Sequence, residues 1–214
     1  MLDQISINSH SSIRVEAEKI IYFDPFHLKK STSDADIIFV THDHYDHYSP
    51  EDIRKIIKDD TIIVAPKVAA GMAVKDFGLS PDRIVVVSVG DKLEVAGFPV
   101  EVIASYNPNK PFHPKEQKYV GYVVTIDSLR YYVCGDMDIT EEGKAVSCDV
   151  LLLPCGGKYT MDAHEAVEFA GILRPKYAIP THYADIVGPS NSGKIFEKEM
   201  KKKSPETKVI IKIG

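Results

Sequence analysis

Along the first part of the chain, apolar positions recur at a spacing of two: Ile5 and Ile7, then Ile13 and Val15, then the short run from Ile20 to Phe23. This alternation predicts antiparallel strands with one face toward water. Asp36-Ile37-Ile38-Phe39-Val40 is different, because a nearly unbroken apolar run suits a strand covered on both faces. It leads directly into Thr41-His42-Asp43-His44-Tyr45-Asp46-His47. Ser49-Pro50-Glu51-Asp52 then predicts a helix start: a capping hydroxyl, a proline at the first helical position and acids that the helix dipole favours. That helix continues through Ile53, Ile56 and Ile57. Further strands are expected at 61–65, 84–87, 100–104, 119–126, 131–134, 150–153, 177–179 and 209–213, with helices between the later ones.

The clearest helix is Ala163–Leu173, opened by Asp162 with Glu165 three residues on, carrying Ala166, Val167, Ala170 and Leu173 on one face and followed by Pro175. Strands first, then strands alternating with helices, predict a mixed α/β layered fold. No internal repeat, low-complexity tract or interdomain linker interrupts the pattern, so one domain spanning 1–214 is expected. The segment 107–117, with Pro108, Pro111 and Pro114, is long enough to suggest a functional or lid-like loop.

Composition narrows the class. With 44% apolar and 27% charged residues among 214, the chain can bury a core without staples. A net charge of -5 gives no positive field to draw in nucleic acid, and Lys198, Lys201, Lys202 and Lys203 read as a solvated helix face. The three cysteines, Cys134, Cys148 and Cys155, have no C-x-x-C spacing, so neither a disulfide framework nor a zinc ribbon is indicated. The first residues lack the apolar core of a signal peptide, and no stretch approaches the ~20 apolar residues of a membrane span. A cytoplasmic protein is expected.

Three imidazoles and two carboxylates lie between His42 and His47. They are donors of the kind that bind zinc, iron or manganese. Crowding them at the end of a buried strand calls for a compensating positive charge. If the segment is extended, positions 42, 44 and 46 share one side and 47 faces elsewhere, an arrangement that can feed two adjacent metals.

The string His42-Asp43-His44-Tyr45-Asp46-His47 resembles the H-x-H-x-D-H signature of the metallo-β-lactamase superfamily, placed after a strand as in that family. The resemblance runs through most of the chain. Asp24, closing Ile20-Ile21-Tyr22-Phe23-Asp24, is similar to the family's first aspartate, which supports the metal loop from behind. Asp136 in Cys134-Gly135-Asp136 resembles its bridging aspartate, and His182 in Pro180-Thr181-His182-Tyr183 its last histidine ligand. His113 is assigned to the remaining ligand position, with Asn107 as a weaker substitute.

The resemblance implies a four-layer αββα sandwich. It implies one metal on His42, His44 and His113 and a second on Asp46, His47 and His182, with Asp136 bridging and with Asp46 and Asp136 in catalytic positions. Two divalent ions are implied, zinc first, with manganese and iron as alternatives. The implied activity is attack by a metal-held hydroxide on a small ester, lactone or phosphodiester, since short members without an added domain resemble the lactonase-like branch. The alternatives are a nuclease acting on RNA or DNA and a non-catalytic metal-binding module. A small-molecule substrate is expected and no membrane partner, while the sequence leaves the oligomeric state open.

Other candidates are set aside. His10 is read as a hydrogen-bonded structural histidine, His27 as a neighbour of the cavity, and His164 as half of an exposed helical pair with Glu168. Gly156-Gly157-Lys158-Tyr159-Thr160 lacks the spacing of a phosphate-binding loop and reads as a permissive turn, from which Lys158 or Tyr159 can reach a substrate. Cys155 has no paired catalytic group and reads as a small buried residue.

Overall fold

The structure, a computed structural model, describes residues 2–213. They form two compact units, divided between Ser88 and Val89, each built on one sheet.

The first unit opens with the antiparallel strands β1 (Ile5–Ser9), β2 (Ser12–Glu16) and β3 (Ile20–Phe23). Strands β4 (Ile37–Phe39), β5 (Ile62–Pro66) and β6 (Ile84–Val87) then add in parallel, so the strand order follows the chain. Parallel neighbours need a crossover, and α1 (Pro50–Ile56) and α2 (Lys67–Phe77) supply it. The Ser49 side chain accepts from the Asp52 N–H and Pro50 occupies the first turn, so α1 starts where the sequence says it should. Strand β4 is buried throughout. Ile38 and Val40 join Ile53, Ile56, Ile63, Ala65 and Ala69 in one apolar cluster, while Phe39 stacks on Phe23, ring centroids 4.9 Å apart. Each of the larger side chains, the isoleucines, Val40 and the two phenylalanines, contributes about 1.5–3 kcal/mol on burial.

The second unit repeats this wiring. Strands β7 (Lys92–Val95), β8 (Phe98–Ala104), β9 (Val120–Ile126) and β10 (Leu129–Val133) are antiparallel. Strands β11 (Val150–Pro154), β12 (Tyr177–Thr181) and β13 (Lys208–Val209) follow in parallel. Helices α3 (Glu141–Lys144), α4 (Ala163–Leu173) and α5 (Ser192–Lys203) connect them. Asp162 and Glu165 form a reciprocal capping box on α4, whose apolar face packs Ala166, Val167, Phe169 and Ala170 into the core beside Phe196 and Met200 of α5. Lys201, Lys202 and Lys203 lie exposed on α5.

Several sequence expectations need adjustment. The strand expected at 209–213 is only the pair Lys208–Val209. Helix α2 has no side-chain cap hydrogen bond at Pro66 and carries Gly71, so it lacks the punctuation that would announce it. His164 does not pair with Glu168. Its Nδ1 lies 2.8 Å from Glu199 on α5, which raises the His164 pKa, and Glu168 pairs instead with Lys203, because helix packing places α5 against that face.

This wiring places chemistry at one edge of each sheet. In the first unit Ile13 pairs with Phe23 and Phe23 with Phe39, so the β1–β2 hairpin tip, Asp24 after β3 and Thr41 after β4 share an edge. In the second, Ala104 pairs with Val120, Val133 with Tyr122 and Leu152, and Pro154 with Thr181. The β8–β9 loop, the turn after β10 and the residues after β11 and β12 therefore share an edge too. Carboxyl ends of parallel strands are where open α/β sheets bind ligands.

Candidate metal centre

In the first unit, Asp24 is the hub. It is fully buried, with a left-handed backbone (φ 43), and its N–H donates to the Phe39 carbonyl. Its Oδ1 accepts the Thr41 N–H at 2.8 Å, and its Oδ2 accepts the Thr41 hydroxyl at 2.7 Å and His47 Nδ1 at 2.7 Å. A carboxylate only accepts, so His47 carries its proton on Nδ1 and presents the Nε2 lone pair. The Thr41 hydroxyl, having donated to Asp24, accepts from His42 Nδ1 at 2.9 Å, which likewise leaves His42 Nε2 for a ligand. One buried carboxylate thereby sets the tautomer of two imidazoles.

The segment after Thr41 is not extended. The His44 carbonyl accepts from the N–H groups of both His47 and Tyr48, at 3.0 and 2.8 Å, and the chain turns there. His47 therefore does not face away from the other histidines: its ring lies 4.1 Å from that of His42, and His42 lies 4.6 Å from His44. Ligand atoms of His42 and His44 come within 4.8 Å of each other, as do those of Asp46, His47 and His10. His10 Nε2 is 3.2 Å from Asp46 Oδ2, so this histidine belongs with the cluster from which sequence reasoning left it out. Tyr45, 68% exposed, projects outward, and His27 stacks on Phe26 outside the cluster.

In the second unit, Asp136 follows β10 after Gly135, which takes φ 67. Its Oδ2 lies 2.9 Å from His182 Nε2 and 3.4 Å from His113 Nε2, so a single carboxylate oxygen faces two imidazoles. Asn107 braces His113. Its Oδ1 accepts the backbone N–H of His113 at 3.1 Å, which fixes the amide's orientation, and also accepts His113 Nδ1 at 2.8 Å, leaving Nε2 toward Asp136. Lys110, in the same loop, donates to Asp138 at 2.6 Å and to the Thr160 carbonyl at 2.7 Å, pinning the loop to the turn after β11. Burial pushes the Asp138 carboxyl up despite Lys110 and Asn107. Removing the Asn107 support (Asn107→Ala) is expected to weaken metal binding by roughly 10–100-fold, as chelator competition would read, and to destabilise the metal-free protein by about 1–3 kcal/mol, because the buried His113 N–H loses its acceptor.

His182 sits at the end of β12 in a left-handed conformation (φ 56). Gly156 allows it: a Cβ there would lie 2.1 Å from the His182 carbonyl oxygen, a distance no side chain tolerates. The turn after β11 is thus permissive for a reason the sequence does not show. Gly156→Ala is expected to displace His182 and reduce metal stoichiometry in the purified protein; full loading would contradict this role. Lys158 and Tyr159 lie in the same turn, the Lys158 ammonium 4.6 Å from the Tyr159 ring and that ring 4.6 Å from Phe112. Burial pushes the Cys155 thiol up to about 12, which keeps it from acting as a nucleophile near neutral pH.

The donors fit hard or borderline dications. Asp24, Asp46 and Asp136 are at most 8% exposed and are faced by imidazoles. Buried carboxylates without compensating charge are costly, and divalent ions supply that charge while accepting the Nε2 lone pairs aimed by Asp24, Thr41 and Asn107.

Residues 4–182 match the model of a family described as the beta-lactamase superfamily domain. The chain is 32% identical over 171 residues to a UPF0173 protein of Pyrococcus abyssi, covering 79% of this chain and 75% of that one. It is 28% identical over 165 residues to a UPF0173 metal-dependent hydrolase of Saccharolobus solfataricus, covering 74% and 70%. Among solved structures, a provisionally assigned metal-dependent hydrolase of Parabacteroides distasonis superposes with a TM-score of 0.79 at 28% identity, covering 98% of this chain and 93% of that one. Igni18, a metallo hydrolase of Ignicoccus hospitalis, shares the fold with a TM-score of 0.78 at 20% identity, covering 97% and 93%.

Proposed function

Since the chain belongs to the metallo-β-lactamase superfamily, in its UPF0173 group of metal-dependent hydrolases, we propose that it hydrolyses a small ester, lactone or phosphodiester at a centre of two divalent metal ions. In this reading His42, His44 and His113 would hold one ion and Asp46, His47 and His182 the other, with Asp136 as the shared carboxylate. The family match runs through residues of both compact units, which supports treating 1–214 as one functional domain. Zinc is the first choice, with manganese and iron as the alternatives.

The observation that carries the reading is the single Asp136 oxygen faced by His113 and His182, the geometry a bridging carboxylate needs. When bound, such ions lower the pKa of water toward neutrality and polarise a carbonyl or phosphoryl oxygen. The chain's own work is positional. Asp24 and Thr41 hold the rings of His42 and His47, Asn107 holds that of His113, and Gly156 admits the backbone of His182. Asp46, whose Oδ2 lies 3.2 Å from His10 Nε2 and 3.6 Å from His47 Nε2, would hold the second ion and orient the attacking water.

A cytoplasmic small-molecule enzyme is the corresponding setting; no helix among the described residues is long and apolar enough to cross a membrane. The test is turnover of a panel of lactones, thioesters and phosphodiesters by protein reconstituted with zinc, manganese or iron. Metal-dependent activity on one class is expected, absent from the His42→Ala protein. Equal rates from wild type and that variant on every substrate would sink the proposal.

A further inference from the structure

His10 is not part of the ligand set that the signature motif implies, yet its surroundings are those of a ligand. It lies in the hairpin tip between β1 and β2, fully buried, with φ 53. Its Nε2 is 3.2 Å from Asp46 Oδ2, and His47 Nε2 is 3.6 Å from the same oxygen. All three residues offer ligand atoms within 4.8 Å of one another.

The distances separate two kinds of contact. Imidazole contacts that only orient rings in this unit are short: 2.7 Å from His47 Nδ1 to Asp24 and 2.9 Å from His42 Nδ1 to Thr41. Charge-assisted hydrogen bonds to carboxylates are about 2.7–2.9 Å. Donors ~2.0–2.2 Å from a common ion, at angles of about 90–110°, are instead roughly 2.8–3.6 Å apart. The His10 and His47 contacts to Asp46, at 3.2 and 3.6 Å, fall within that spacing and beyond the length of the orienting contacts.

The wiring of the two units gives an independent argument. In each, a hairpin loop leads into the antiparallel strand that pairs with the last strand of the meander, and a buried aspartate follows that last strand. In the second unit the loop carries His113 and the aspartate is Asp136; in the first the loop carries His10 and the aspartate is Asp24. His10 stands in the first unit where His113 stands in the second.

We propose that His10 is a metal ligand, its Nε2 completing with Asp46 and His47 a two-imidazole, one-carboxylate set contributed by the first unit alone. This rests on the dinuclear reading above. It adds a protein donor to the second ion, which raises the coordination number at that ion and shifts its preference from four-coordinate zinc toward manganese or iron(II), metals that accept five or six ligands.

The experiment compares wild type with His10→Gly and His10→Asn, both compatible with the left-handed backbone, so that folding is preserved and checked by unfolding temperature. Metal affinity is read by chelator competition, and imidazole count by X-ray absorption of the cobalt(II)- or manganese-loaded protein. The second equivalent is expected to weaken by more than the roughly 10–100-fold that losing a supporting hydrogen bond costs, with one imidazole fewer around the metal. Unchanged imidazole count in both variants, or a loss within that range, overturns the proposal and makes His10 a hydrogen-bonding support of Asp46. Wild-type protein that takes up no metal removes the dinuclear reading itself.

Discussion

Asp136→Ala is expected to lower kcat/KM by about a thousand-fold or more and to leave the protein folded but short of its full metal content. Removing this carboxylate takes away the oxygen that His113 and His182 both face, at 3.4 and 2.9 Å. Metal centres supply several kcal/mol of transition-state stabilisation, and each ~1.4 kcal/mol is tenfold in rate. Asp136→Asn retains the shape and the carbonyl oxygen but not the charge, so it should recover folding and some metal while remaining slow. Steady-state kinetics alongside elemental analysis would read both effects. Wild-type kcat/KM in the alanine protein would remove Asp136 from the chemistry.

Asp24→Ala should be the more damaging change to the protein as a whole, because Asp24 accepts three hydrogen bonds in a fully buried position. The Thr41 N–H, the Thr41 hydroxyl and His47 Nδ1 would each lose an acceptor, and each orphaned buried donor costs about 1–3 kcal/mol. Alanine is also poorly suited to φ 43. A loss of roughly 3–5 kcal/mol is expected, lowering the unfolding temperature by about 10 °C or more in a chain of this size. The imidazoles of His42 and His47 would lose their enforced tautomers, so metal binding should fall as well. Calorimetry of the metal-free protein separates the two effects. An unfolding temperature within a degree or two of wild type would show that Asp24 is not the structural hub described above.

The two aspartates differ in how legible they were. Both end strand-like runs in the sequence, Ile20 to Phe23 and Tyr131 to Cys134, and their resemblance to a family pattern singled them out. That resemblance cast Asp24 as the support of the metal loop and Asp136 as the bridging ligand, but the residues alone do not show which donors each carboxylate meets. That distinction depends on which backbone and side-chain donors arrive from elsewhere, and arrival is a property of the folded sheet.

Asn107 and Gly156 show the same limit. A proline-rich loop and a Gly-Gly turn are visible as local patterns, yet that one supports His113 and the other makes room for a carbonyl depends on residues 6 and 26 positions away, at His113 and His182. The helical pair expected from His164 to Glu168 failed for a related reason: packing of α5 offered Glu199 at 2.8 Å, and a tertiary partner displaced the local one.

By itself, the sequence determined what depends on short range: the apolar strand running into the histidine cluster, the start of α1, the whole of α4 with its capping box, and the residue types that a metal-dependent hydrolase needs. Periodicity, caps and ligand chemistry are written within a few residues of one another, so they survive without coordinates. Tertiary structure decided the turn that brings the His47 ring against His42, the recruitment of His10 to Asp46, and the shared wiring of the two units, which no internal repeat announces. Each of these arises from strand pairing between segments that are remote in sequence, and only the register of the folded sheets brings them to one edge.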